Sequence, residues 1–216
     1  MYSNLRVCVS KPSHLNELAF CHLDCFPASL AAKLGFTYVR KTLDWFLSAD
    51  NRFLFHMEIE GQIVGYCGGF VPAGKGDGSS SGMLQHAFKE AVWGILKKPW
   101  LIFNGEVQDF YPFIFRNIRT KVIGKKKIKH SHHHERKHSQ QYAGLVVIGI
   151  EPAFRGTNVF KELMLYFEKE AVERNVHLCN LSVKKDNDRA IHAYKKFGWY
   201  IAEEHGKTFV MQKKLL

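Results

Sequence analysis

"GIEPAFRGTNVF", residues 149–160, joins an apolar run to an amphipathic one. Pro152 marks a turn, and Arg155 and Gly156 stand where a helix should begin. The first turn of a helix carries unpaired N–H groups and a partial positive charge, so strand, turn and helix together make a place for an anion. Gly156 lets the backbone come close to a ligand, and Arg155 adds charge beside it. Taken alone, the Arg-Gly pair fits an ordinary surface turn equally well.

The flanking segments give the turn a context. Upstream, "YAGLVVIGI" (142–150) is almost wholly apolar and reads as a strand covered on both faces. Downstream, Val159, Phe160, Leu163, Met164, Phe167 and Ala171 share one face of a helix over about 157–174. "HLCNLSV" reads as a strand. "NDRAIHAYKKFG" reads as a helix opened by Asn187 and Asp188 and stopped at Gly198, and a hairpin around Gly206 closes the chain. Nearer the start, "LRVCVS" alternates as a strand. A helix follows with Ser13 or Asn16 as cap, and Pro27 interrupts it. "SLAAKLGFTYVRKTLDWFLSA" is helical with a break at Gly35, and residues 52–72 form a hairpin turning at Gly61. "AGKGDGSSSG" (73–82) reads as a loop, "MLQHAFKEAVWGIL" as one amphipathic helix, and about 107–121 as a further helix near Pro112. The order predicts an α/β (α+β) protein: a mixed central sheet of about seven strands, helices on both faces, and a helical insertion over 73–140 between the third and fourth strands. Residues 1–216 read as one domain.

Read together, "GIEPAFRGTNVFKELM" and "LSVKKDNDRAIHAYKKFGW" resemble the GCN5-related N-acetyltransferase (GNAT) superfamily. There the fourth strand leads into an Arg/Gln-x-x-Gly-x-Gly/Ala loop that binds the pyrophosphate of acetyl-CoA. The second motif is matched by Asn187, Ala190, Ile191, Tyr194, Gly198 and Trp199. Where the family loop has its two small residues, this chain has Asn158 and Phe160. Asn158 is expected to keep the turn at positive φ, and Phe160 to point into the core.

The resemblance implies an acetyl-CoA-dependent N-acetyltransferase acting on a primary amine. It implies that Arg155 and the backbone of Gly156, Thr157, Asn158, Val159 and Phe160 hold the pyrophosphate. It also implies that the pantetheine arm pairs with the fourth strand at Ile148, Gly149 and Ile150, where a backbone N–H polarises the thioester carbonyl. Tyr194 matches the family's general acid to the departing sulfur, although by spacing it also fits a core tyrosine. Asn187 is placed to bond the cofactor arm; its other role is to cap the helix. No glutamate lies on "YAGLVVIGI" to act as base. His22, His56 and Glu58 are the candidates by placement, each of which also reads as surface or structural.

"CFPASLAAKLG" looks like a Phe-Pro-x-Ser…Leu-Gly segment of bacterial acetyltransferases of polysaccharide or amino-sugar pathways, which implies an amino-sugar acceptor. A polyamine, an amino acid or a protein amino group are the other acceptors. A catalytically impaired CoA-binding protein of the same fold is the rival reading.

The net charge is +11, and residues 116–138 hold nine basic residues against Glu135 alone. That run reads as a solvated loop or a polyanion contact; with few aromatics in it, a nucleic-acid partner is not expected. "KHSHHHERKH" implies weak metal binding at most, and no metal cofactor is expected. The five cysteines lack metal spacing and read as thiols in a reducing compartment. No long apolar run or leader pattern stands out, so a cytoplasmic monomer or homodimer away from membranes is the expectation.

Overall fold

The computed structural model describes residues 5–73, 79–103, 105 and 141–216. Seven strands form one sheet: β1 (Arg6–Val9), β2 (Arg52–Ile59), β3 (Gln62–Phe70), β4 (Ala143–Ile150), β5 (Leu178–Lys184), β6 (Tyr200–His205) and β7 (Thr208–Lys214). Their order is β1-β2-β3-β4-β5-β7-β6. All neighbours are antiparallel except β4 and β5. The mixed seven-stranded sheet expected from the element order is therefore present.

Alternation along the strands divides the core in two. In β2, Phe53, Phe55, Met57 and Ile59 face one layer, and Leu54 faces the other. The first layer packs on the helix that follows β4, Val159–Glu173, and on the last helix, Asp188–Lys196, through Leu163, Phe167, Ile191 and Tyr194. The second packs on α1 (Leu15–Cys25) and α3 (Phe36–Asp44) through Leu15, Leu18, Val39 and Leu43. Each large apolar side chain buried in this way contributes about 1.5–3 kcal/mol.

The hairpin turn comes at Glu60 and Gly61, with φ of 53° and 81°. Gly35 has φ of 106° and separates α2 (Leu30–Leu34) from α3. Three expectations are corrected. Neither Ser13 nor Asn16 caps α1, which grows from a short 3₁₀ turn, Pro12–His14; Asn16 instead accepts Arg40 Nε at 2.8 Å. The serine-rich stretch is helical from Ser79, forming α4 (Ser79–His86). The one long helix is two, because Ala87 (φ −104°, ψ 20°) breaks the path before α5 (Phe88–Lys97). Gly94 of α5 lies so close to the chain at Leu34 that a Cβ would stand 2.6 Å from its carbonyl oxygen. Val92 and Leu96 of the same helix are exposed. The expected helix over 107–121, the basic run and the histidine-rich segment lie outside the described residues.

The helices after β4 are α6 (Val159–Glu173) and α7 (Asp188–Lys196).

Candidate active site

β4 and β5 pair only from Ala143–Cys179 to Leu145–Leu181. Both strands continue, β4 to Ile150 and β5 to Lys184, so they diverge beyond that point. The β3–β4 register shifts between Gly68, opposite Val147, and Gly69, opposite Leu145, which leaves Val146 as the extra residue of a bulge. The bulge turns β4 away from β5 where their pairing ends. Its consequence is visible in burial: Ala143, Gly144 and Leu145 are buried, while Val146, Val147, Ile148 and Ile150 are half-buried in a central strand. The expected cover on both faces holds only for the first half of β4.

Glu151 donates its N–H to Val64 O at 2.9 Å, which fixes the direction of the backbone groups at the end of β4. In an antiparallel ladder the direction alternates, so Gly149 also turns its N–H toward β3, while Ile148 and Ile150 face the gap. Of the three residues expected to line the gap, Gly149 thus does so without its backbone donor. Gly149 serves packing on the other layer: a Cβ there would lie 2.6 Å from the Tyr66 ring, 3.1 Å from Phe26 and 3.2 Å from Cys25 Sγ.

Beyond the gap a short 3₁₀ turn, Pro152–Phe154, leads through Gly156 at φ 81° into α6. Asn158 precedes the helix at φ −71° and ψ −6°, which is ordinary helical geometry. The expected positive φ at Asn158 is absent, because Gly156 alone makes the reversal. Thr157 N–H reaches Phe154 O and Val159 N–H reaches Thr157 Oγ1, both at 3.4 Å. The N–H groups of Gly156, Asn158 and Phe160 have no partner among the described residues. These donors point outward from a helix start.

Arg155 does not lie open beside this turn. Its Nε donates to Ile150 O at 3.1 Å and its Nη2 to Cys25 O at 2.9 Å, tying the loop to β4 and to the end of α1. Phe160 packs as expected, with its ring 6.0 Å from those of Tyr194 on α7 and of Phe197 just after it. Asn187 caps α7 by accepting Ala190 N–H at 3.2 Å. Tyr194 is nearly enclosed, with Trp199 at 6.0 Å, and its hydroxyl has no hydrogen-bond partner among the described residues. Burial, aided by the Cys67 thiol, raises its pKa, so the phenol keeps its proton throughout the physiological range.

On the opposite layer Tyr66, paired with Gly149, hydrogen-bonds His22 Nδ1 at 2.5 Å. The other ring nitrogen, Nε2, is buried and has no partner among the described residues. Burial brings the His22 pKa down to about 4, so the imidazole is neutral at pH 7 and can accept a proton. Glu151 and Asp24 stand close enough to raise the pKa of Glu151, with desolvation the larger cause. Sequence reading missed Glu151; its signal was its position directly after the strand.

The other two candidate bases are placed differently. His56 is fully buried, with Nδ1 on Ser10 Oγ at 2.8 Å and Nε2 on Glu58 Oε1 at 2.9 Å. It and Glu58 lie on β2, where they pair with the edge strand β1 and are separated from β4 by β3.

Comparison with known proteins fits this geometry. Residues 86–199 match the acetyltransferase (GNAT) family, and the chain belongs to that family. Over 73 residues it is 33% identical to a mycothiol acetyltransferase of Corynebacterium efficiens, a match spanning 34% of this chain and 25% of that protein. The fold is similar to that of PaiA N-acetyltransferase from Thermoplasma acidophilum, solved with coenzyme A. The TM-score is 0.58 at 12% identity, over 98% of this chain and 99% of the other. It is also similar to a ribosomal-protein-alanine N-acetyltransferase from Brucella melitensis, with a TM-score of 0.57 at 15% identity over 97% and 99% of the two chains.

Proposed function

We propose that the protein moves the acetyl group of acetyl-CoA to the amine of a small molecule. The observation that carries this reading is the early parting of β4 from β5, with a helix start bearing free N–H groups directly beyond it. An extended pantetheine arm fits along the open edge of β4, bonded to the backbone of Ile148 and Ile150, with Gly149 keeping the α1 side shallow. The pyrophosphate rests on the turn from Gly156 through Thr157, Asn158 and Val159 to Phe160. Arg155 holds that turn in place and lends it charge. Asn187 keeps its amide nitrogen for the cofactor arm while its oxygen caps α7.

Residues 1–216 act as one catalytic domain, with 73–140 as an insertion. The amine enters from the α1 side. His22 Nε2, bare when Nδ1–H donates to Tyr66 Oη, takes its proton, and the nitrogen attacks the thioester carbon while a β4 N–H stabilises the oxyanion. The C–S bond then breaks, and Tyr194 gives its proton to the sulfur. An amino sugar is the acceptor we favour, from the Cys25–Gly35 segment and the similarity to a mycothiol acetyltransferase. The carboxylates of Asp24 and Glu151 suit an ammonium group arriving at this mouth.

The test is release of CoA thiol from acetyl-CoA with a panel of amino sugars, polyamines and amino acids. Turnover with one class identifies the acceptor. Tight CoA binding with no turnover on any amine overturns the enzymatic reading in favour of a CoA-binding protein of the same fold.

A further inference from the structure

We propose that Cys8, His56 and Glu58 form a binding site for one divalent cation of the zinc type. In the β1–β2 ladder Cys8 lies opposite His56, and Glu58 follows two residues after His56, so all three side chains project from one face. The thiol sulfur, an imidazole nitrogen and a carboxylate oxygen lie within 4.8 Å of one another. A tetrahedral zinc with bonds of about 2.0–2.3 Å needs ligand atoms roughly 3.3–3.7 Å apart. His56 Nε2 and Glu58 Oε1 are 2.9 Å apart, joined by a hydrogen bond that the ion replaces, so binding asks for a small movement of the half-buried Cys8 and a slight withdrawal of the partly exposed Glu58.

The support around the imidazole fits a ligand. His56 is fully buried, and its Nδ1 meets the buried hydroxyl of Ser10 at 2.8 Å. A hydroxyl both donates and accepts, so it serves either tautomer. Without a cation, Nε2–H donates to Glu58 and Nδ1 accepts from Ser10. With the cation on Nε2, the ring carries its proton on Nδ1 and donates it to Ser10. Metal-bound histidines are held by such a second bond. The thiolate and the carboxylate together neutralise the ion, and the thiol proton leaves to solvent, one per ion bound. Water completes the fourth position at the exposed edge. Because β1 is a four-residue edge strand, the ion would pin it to β2.

The experiment titrates chelator-treated full-length protein with Co²⁺. One equivalent should produce a thiolate-to-cobalt charge-transfer band in the near-ultraviolet, which histidines alone do not give. Cys8→Ser should abolish the band. Glu58→Gln, at a partly exposed position that folding tolerates, should weaken cobalt binding at least tenfold. Replacing His132, His133 and His134 by Gln should leave the band intact. Zn²⁺ should displace Co²⁺ and raise the melting temperature of the wild type but not of Cys8→Ser. A missing band overturns the proposal. So does a band that survives Cys8→Ser or disappears with the three histidines, or cobalt binding unaltered in Glu58→Gln.

Discussion

Arg155 and Cys25, 130 positions apart in the chain, are joined by a 2.9 Å hydrogen bond from Nη2 to the backbone carbonyl. With the bond from Nε to Ile150 O, the same guanidinium holds the turn before α6, the end of β4 and the end of α1 together. A residue expected to act by charge alone thus also sets the position of the turn.

Arg155→Ala should therefore cost stability as well as affinity. Two part-buried carbonyls lose their donors, at about 1 kcal/mol each. Denaturant unfolding should show a loss of about 1–3 kcal/mol, and calorimetry should show CoA binding weakened roughly tenfold. Arg155→Lys, with one point donor in place of a fork, should recover only part of either loss. Unchanged stability in Arg155→Ala would remove the clamp from the account.

Gly149 and Gly156 should respond to alanine for different reasons. At Gly149 the new Cβ meets the wholly buried Tyr66 ring at 2.6 Å, so Gly149→Ala should destabilise by about 1–3 kcal/mol and disturb the Tyr66–His22 pair. At Gly156 nothing lies within 4 Å, and the cost is the left-handed backbone alone, about 1–2 kcal/mol. CoA affinity should fall more at Gly156. Equal effects on CoA at both positions would contradict the placement of the phosphate turn.

Tyr194→Phe keeps the ring packed among Phe160 and Trp199 and removes only the hydroxyl. Since the hydroxyl is needed when sulfur leaves, turnover should drop on the order of a hundredfold with the CoA dissociation constant unchanged. Full turnover on the true acceptor would leave Tyr194 a packing residue.

His22→Gln retains a polar group beside Tyr66 and lacks a basic nitrogen. Turnover should again fall on the order of a hundredfold, with no change in CoA binding. A variant as fast as the wild type excludes His22 as the base.

The same histidine makes stability depend on pH. Its folded pKa of about 4 lies below the ordinary 6.5, so the unfolded chain binds the extra proton first. Stability should be full above about pH 6.5, fall as the pH drops toward 4, and level off below, a loss of roughly 3 kcal/mol. His56, also lowered by burial, acts in the same direction. Melting curves should therefore be flatter with pH in His22→Gln. An equal slope in both proteins would contradict the burial of the His22 charge.

Local pattern carried most of the fold. Alternation in β1, the apolar runs of the 52–72 hairpin, the helical face from Val159 to Ala171 and the glycines at 35, 61 and 156 each produced the expected element. The split of the long helix at Ala87 was not legible, because the apolar spacing runs through it without a Gly or Pro to mark the break. Much of the candidate site was legible as motif: the turn at Gly156, the cap at Asn187 and the tyrosine at 194. The helical φ of Asn158 was not, since a single glycine reverses the chain and leaves its neighbour ordinary.

By itself the sequence determined the order of strands and helices and the helix start with its free N–H groups, since periodicity and turn chemistry are local. Only the tertiary structure decided how β4 leaves β5, because a bulge at Val146 shows itself in register with another strand. It alone turned Arg155 onto Cys25, set the half-buried His22 against Tyr66, and set Cys8 opposite His56. These are contacts between residues dozens of positions apart, and their charge, burial and reach depend on neighbours that no local pattern contains.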